Sequence, residues 1–421
     1  MNDALNLLQA SEQWLADNSD RLIEWRRDLH RHPEVAFAEH RTTDRILEIL
    51  TGLGLSPRRM SAGTGVLCDL EAGIASGDSG ATGYRPDVIA LRADIDALPL
   101  PDAKDVPYAS ATPGVCHACG HDAHTAILLG VASVLAGVAS LPRPVRLIFQ
   151  PAEERMPGGA EAAVSEGALT DVAGIYALHC DPKLDAGMVG LRAGAITAAF
   201  HQIDLYVDGP GGHTARPHLT SDVVYALGKL ITELPGLLSR RVDPRSALSL
   251  VWGAVTAGAA ANAIPPTGQL RGTLRMLDGD LWHHLEDIVG ELVDQIVAPT
   301  GAKVRMMYDR GMPAVTNDPA LVAAQTQAAV RALGAQAVAE ATQSMGGEDF
   351  AWYLQTVPGS MARLGVGTPG TTSGDLHQSY FDIDESALAV GVRFTAALLD
   401  EAFRPTGGEP PASDHPGSAE R

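Results

Sequence analysis

The eight residues His117-Ala118-Cys119-Gly120-His121-Asp122-Ala123-His124 hold one thiol, three imidazoles and a carboxylate. Cys119 and His121 are two apart, so from a loop or a first helical turn both side chains can converge on one cation. Thiolate and neutral imidazole are the donors that borderline-soft divalent metals take. A buried cysteine with surface histidines at a helix entrance gives the same short pattern, so the stretch needs partners elsewhere. They are at hand in Glu153-Glu154, His179 and His377. Singly, Glu153-Glu154 reads as a solvated pair at a helix start and His179 as a satisfied strand-end histidine. Together, Cys119, His121, Glu154, His179 and His377 suffice for two adjacent divalent ions with room for a bridging water. Such a pair generates hydroxide near neutral pH and polarises a carbonyl oxygen. Glu153 adjoins a candidate ligand without being one and is left free as general base and acid.

These residues need elements to hold them. The run Val88 to Ala93 has the continuous β-type character of a strand covered on both faces and closes in Asp94-Ile95-Asp96. An apolar helix is expected over 126–141. A strand over 145–149 leads into Gln150 to Glu154, a helix begins near Gly159, and a strand over 174–178 ends in His179. Strand and helix alternate, which means a parallel sheet. In such sheets sites form outside the carboxyl ends of the strands, and three successive strands here end in Asp, Glu-Glu and His. Helices over 4–31 and 42–50 and a strand over 65–70 precede this set, and Gly- and Ser-rich residues 73–84 read as a mobile surface loop.

From about residue 194 the pattern becomes β-α-β-β-α-β: strands over 202–207, 248–256, 269–276 and 304–308, with helices over 221–234 and 281–297. That is the order of the ferredoxin-like split unit, read here as an inserted second domain. Its conspicuous loops are Gly209 to His213 and Ala261 to Pro266. After Gly311 come a helix over 321–333, a helix opened by Gly346 to Phe350, a strand over 362–366, a loop with His377, and a last helix from Asp384 to about Phe403, capped by its aspartate. The expected division is therefore 1–193 and 311–403 for one α/β domain, 194–310 for the insert, and a disordered tail over 404–421 rich in Pro, Gly, Ser and Glu.

At 421 residues, with 45% hydrophobic and 19% charged residues, the chain has material for more than one core. Lys and Arg total 31 against 51 Asp and Glu, a net charge of −20 that repels nucleic acid and anionic membranes alike. The run 126–141 is shorter than the ~18 residues of a membrane span, and no signal peptide is visible at the start. Four cysteines, Cys68, Cys116, Cys119 and Cys180, are too few for a secreted disulfide framework, which points to the cytoplasm.

Between Arg26 and Leu399 the chain resembles the amidohydrolase branch of the aminoacylase and carboxypeptidase metallopeptidase family, which includes hippurate hydrolases and indoleacetyl-amino acid hydrolases. The resemblance is carried by Arg27 to Glu34, Leu91 to Pro99, the Cys119 stretch, Gln150 to Glu154, Gly211-Gly212-His213, Asn262 to Pro265, Gly347 to Phe350 and Leu376-His377. It implies an α/β catalytic domain, with a parallel-rich sheet flanked by helices, interrupted by a ferredoxin-like α+β lid through which a homodimer forms. It implies hydrolysis of N-acetyl, N-benzoyl or N-arylacetyl amino acids. It makes Cys119, His121, Glu154, His179 and His377 the ligands of two divalent ions per subunit, zinc or manganese, with cobalt or nickel as alternatives. Glu153 becomes the base and Asp94 a carboxylate orienting the ligating imidazoles. His213 and Asn262 become oxyanion and carboxylate contacts, the former often reaching the partner subunit's site, and Arg275 a candidate grip on the substrate carboxylate.

Two departures flank the site: Arg155-Met156-Pro157 stands before Gly158-Gly159, and Ser379 replaces the usual proline after His377. They bear on substrate choice. A dipeptidase or carboxypeptidase on the same centre, a Cys119-nucleophile amidase and a noncatalytic metal-binding protein are the rival readings.

Overall fold

The computed structural model describes residues 6–73, 87–371 and 374–404. Almost all of the loop expected over 73–84, and of the tail from 404, lies outside the described residues. Val88–Asp94 sits inside an eight-stranded sheet whose order is Arg58–Arg59, Val66–Leu70, Val145–Gln150, Val88–Asp94, Val172–Asp185, Gly359–Gly367, Val189–Leu191, Val338–Glu340. The four central strands run parallel, while Val66–Leu70 and Val189–Leu191 each join their inner neighbour antiparallel. The sheet is thus parallel-rich with antiparallel pairings towards its edges. Alternate residues of the same strands feed two buried clusters, Leu91, Leu147 and Phe149 on one face and Ala90, Ile148 and Ile175 on the other.

The helix after the Cys119 stretch spans His121–Ala136, beginning five residues before the expected position. Apolar periodicity marks only its interior; its start is set by Gly120, whose φ of 86° is left-handed and where a Cβ would fall 2.8 Å from Cys180 Sγ. Every residue from His121 to Leu135 is buried, wrapped by the helices Leu7–Arg31 and Ser386–Ala402. The last helix starts two residues after Asp384, whose carboxylate accepts from Ser386 N at 3.0 Å. Gly346 to Phe350 leads not into an α-helix but into a short 3-10 helix, Asp349–Gln355, with Glu348 accepting from Phe350 N. The strand carrying His179 runs on to Asp185, because Gly359–Gly367 pairs alongside it as far as Asp185.

Residues 199–314 build a separate core. A four-stranded antiparallel sheet, Ser249–Ala257, Thr267–Met276, Ala199–Asp208 and Lys303–Arg310 in spatial order, is packed by helices Val223–Arg241 and Gly279–Val297. Ile203, Leu205, Leu230, Leu270, Leu285 and Val289 are buried between them. Chain order and spatial order together give the ferredoxin-like arrangement. Both helices are capped as their sequences suggest, Asp222 accepting from Tyr225 N and Asp278 from Leu281 N.

One buried ion network ties the first and central helices to the segment that leads into the last. Arg26, fully buried, reaches Asp122 at 2.8 Å and Asp382 at 2.6 Å, and His30 Nδ1 lies 2.7 Å from Asp122. Burial alone would raise the Asp122 carboxyl, but Arg26 and His30 hold it well below the usual range. Removing the cation leaves a buried carboxylate underpaired, so Arg26→Met should lower stability by about 3–5 kcal/mol. Denaturant titration followed by tryptophan fluorescence checks this; an unchanged midpoint refutes the network's role.

Candidate metal centre

Glu153 and Glu154 are presented by a turn whose first three amides, those of residues 152–154, each have a carboxylate acceptor. Ala152 N donates to Glu39 at 2.8 Å, and Glu153 N and Glu154 N donate to the two oxygens of Asp96 at 3.1 and 3.0 Å. Ala152 is left-handed, with φ 54°, a conformation that side chains resist unless their surroundings enforce it. The turn closes on Gly158-Gly159, where a Cβ would lie 2.4 Å from Asp349 Oδ2 and 1.9 Å from Pro151 O respectively. The Arg155-Met156-Pro157 departure is therefore accommodated inside a turn pinned at both ends.

Each imidazole's tautomer is set by what its far nitrogen meets. His121 Nδ1 donates to Asp96 O at 3.0 Å, and its Nε2 is buried without a hydrogen-bond partner. His179 Nδ1 donates to Cys180 O at 2.8 Å, and its Nε2 lies 3.6 Å from Cys119 Sγ. His377, left-handed with φ 63°, is anchored by its amide to Ala118 O; its Nε2 lies 3.1 Å from Glu154 Oε1, an atom that is likewise buried without an aligned hydrogen bond. His124, by contrast, is saturated: Nδ1 bonds Asp94 at 2.6 Å and Nε2 accepts from Cys180 N at 2.8 Å. His117 is buried with neither ring nitrogen partnered, and burial pushes its pKa down to about 3.

The donor atoms of Cys119, His121 and His179, those of Cys119, Glu154 and His377, and those of His121, Glu153 and Glu154 form three groups, each within 4.8 Å. Cys119, His121 and Glu154 are each shared by two of these groups. Against the effect of burial, Asp94 and Asp96 raise His121 to about 10, so the pocket carries negative charge in excess. Orphaned donors facing one another in a negative pocket fit divalent cations. Burial, then Glu348, Glu154 and Asp349, push the Glu153 carboxyl well above its ordinary range.

Cys119, Glu153, Glu154, His179 and His377 line a cavity of about 570 Å³, together with Met345 to Glu348. Neither His213 nor Asn262 reaches it. His213 is exposed on a two-residue strand paired with Ala263–Ile264, its Nδ1 accepting from Ala215 N. Arg275 donates to Met345 O at 2.6 Å and lies over the Phe200 ring, so it fixes a segment of the cavity wall without lining it. Asp94 is held by Arg92 and His124, and lies 3.7 Å from His121 Nε2. The carboxylate behind a candidate ligand is Asp96. Sequence reading placed Asp96 at the strand end without a role, and missed Glu39 and Arg363. The signal for Arg363 was a lone arginine in the apolar run Met361 to Val366.

Among comparisons with known proteins, the model of Peptidase family M20/M25/M40 matches residues 90–401. A Bacillus subtilis N-acetyl-L-cysteine deacetylase is 36% identical over 92% of this chain and 89% of its own. A Rhodococcus jostii protein whose name proposes a glutamate–cysteine ligase is 48% identical over 90% of this chain; the match spans only 46% of that longer protein. The crystal structure of a Bacillus subtilis dinuclear metal binding peptidase from the M20 family superposes with a TM-score of 0.78 at 32% identity, covering 91% of this chain and 98% of that one. Fold and site define a metal-dependent hydrolase of amide bonds. The chain belongs to the peptidase family M20/M25/M40.

Asp96 bonds the His121 imidazole and the amides of both glutamates at once. Asp96→Asn should weaken metal binding about 10- to 100-fold, the range for losing such a supporting carboxylate. Competitive titration of the apoprotein against a chromogenic chelator measures it; unaltered affinity would show that backbone packing alone positions the donors.

Proposed function

We propose that this chain hydrolyses the amide bond of N-acyl amino acids, releasing a carboxylic acid and the free amino acid, with Cys119, His121, Glu154, His179 and His377 holding two divalent ions. The observation that carries the reading is Glu153, buried at the cavity wall among the donors and raised by burial and its acidic neighbours. Two ions held there supply Lewis acidity to a carbonyl oxygen and make a water molecule acidic near neutral pH. One thiol, three imidazoles and a carboxylate suit zinc or manganese, with cobalt and nickel as alternatives. Glu153 takes the proton from the attacking water and returns it to the leaving nitrogen, so that one carboxyl serves as base and then acid. A nucleophilic Cys119 is disfavoured, because burial, then Glu154 and Glu153, raise its thiol well above the ordinary range, the reverse of what a thiolate needs. The names of two relatives concern cysteine, so N-acetylcysteine heads the substrate panel.

We further assign residues 194–310 as a lid that forms a homodimer, between catalytic segments 1–193 and 311–403. Its own buried core supports this, and so does the edge strand Ser249–Ala257, which leaves Val251 and Val255 62% and 57% exposed. In that dimer His213, with Asn262 beside it, serves the neighbouring cavity; its exposure outside its own cavity is the support. Four unpaired buried cysteines suit a reducing compartment, and no helix among the described residues is long and apolar enough to cross a membrane.

With metal content unchanged, Glu153→Gln should lower turnover by about 10²- to 10⁴-fold, the usual span for a general base. Elemental analysis beside a turnover assay separates this from metal loss, and a fully active variant ends the assignment. Chelation should abolish activity and the cognate ion restore it.

If His213 acts across the dimer, Glu153→Ala and His213→Ala homodimers should each lose activity roughly 10²-fold or more. Mixed after reversible dissociation, they form heterodimers in which one site has both residues intact, so activity should return to about a quarter of wild type under random pairing. Proven subunit exchange without recovery would place His213 within its own chain's chemistry or outside catalysis.

A further inference from the structure

Arg363 is a buried cation in the cavity wall that the metal centre does not use. It is 8% exposed and lines the cavity, yet no hydrogen bond or ion pair holds its side chain among the described residues. Arg92, whose side chain is fully buried in the same sheet, has Asp94, Glu348 and Asp349 around it at 2.6 to 3.1 Å. None of the described acidic residues is placed on Arg363. A buried guanidinium without a counter-anion is costly, and its planar fork matches a carboxylate.

Its placement is built. Arg363 belongs to Gly359–Gly367, every residue of which is buried, and pairs in register with His179 on one side and Gly190 on the other. Residues paired across neighbouring strands send their side chains to the same face, so Arg363 stands beside a candidate metal ligand. Gly190 leaves it room: a Cβ there would lie 3.3 Å from Arg363 Cβ. Lys183, 74% exposed and 3.8 Å from Asp375, adds a second cation to the cavity wall.

We propose that Arg363 is a specificity-determining residue that receives a carboxylate of the substrate. The inference rests on the N-acyl amino acid reading above. The anion comes from outside the chain, and it is held within the same cavity as the donor groups. The carboxylate has two sources, the α-carboxylate of the amino acid and an acid group on the acyl side. The role that sequence reading gave to Arg275 thus passes to Arg363, since Arg275 is engaged with Met345 O.

Three probes separate the sources on the metal-loaded enzyme: N-acetylmethionine, with only the α-carboxylate; N-succinylmethioninamide, with only the acyl-side carboxylate; and N-acetylmethioninamide, with neither. Wild type should prefer one of the first two over the third by about 30-fold or more in kcat/KM, the loss expected when a buried charge pair is broken. Whichever is preferred identifies the source. Arg363→Met should erase that preference through KM, with metal content unchanged and the amide substrate handled as before. Arg363→Lys should retain part of it, and it carries the test if the methionine variant does not fold. Calorimetric titration of the preferred probe into Glu153→Gln, with and without Arg363→Met, reads binding without turnover and should weaken by the same factor. An Arg363 variant that keeps the wild-type preference and affinity overturns the proposal. Should wild type cleave none of the probes while the calorimetric difference persists, the hydrolytic reading fails and the carboxylate site stands.

Discussion

The constraint on which this structure turns is the burial of carboxylates where the central strands end. Asp94, Asp96, Glu153, Glu348 and Asp349 are all buried there, and Glu39 stands behind them. Each would be destabilising alone, because a desolvated charge needs a partner. Part of the charge is answered by Arg92, which touches three of these acids, and part by main-chain donors, since Asp96 and Glu39 accept the amides of residues 152–154. The remainder faces His121, Cys119 and the cavity. A site so loaded has two ways to relieve itself, taking up protons or taking up cations. The raised Glu153 answers to the first, and the unpartnered His121 Nε2 and Glu154 Oε1 fit the second.

The same groups that carry charge also fix geometry. Asp96 is both the acceptor that shapes the glutamate turn and the group behind His121, so the turn and the helix His121–Ala136 cannot shift independently. The helix is in turn locked by Asp122, one residue on, to Arg26 and His30. Three left-handed positions, Gly120, Ala152 and His377, fall within this frame. Local strain persists where the surroundings over-determine it, and here the surroundings are a fully buried helix and a hydrogen-bonded turn.

Much of this was legible in the sequence because it is local. Two-residue spacing made Cys119 and His121 a pair, the acid doublet after a strand marked Glu153 and Glu154, and the change from βα alternation to β-α-β-β-α-β located the insert. What was not legible depends on pairing between distant strands. That His179 lies mid-strand, and that Arg363 stands beside it, follows from the register of Val172–Asp185 against Gly359–Gly367, which no residue spacing encodes. Asp94 and Asp96 were indistinguishable in one dimension. Only the packing of His124 over one and of the glutamate turn over the other separates their roles. The helix start at His121 was missed because polar, ligand-rich residues hide apolar periodicity, and Gly120 carries the signal instead.

The two cores meet at the cavity wall, and their meeting explains why Arg275 has the place it has. The segment Thr342 to Gly347 lines the cavity beside the donors, while Arg275, from the middle strands of the smaller sheet, donates to Met345 O. Thr197 bridges to Ser344 at the junction of the two units. The segment facing the donors is thus held from the smaller core as well as from the larger one. The five donors and Glu153 all belong to the larger core, so their geometry is independent of where the smaller unit sits, whereas the opposite wall is not. Among the described residues, none of 199–314 lines the cavity, so the larger unit supplies both the donors and the wall that faces them, and the smaller unit acts on that wall through the Arg275 brace.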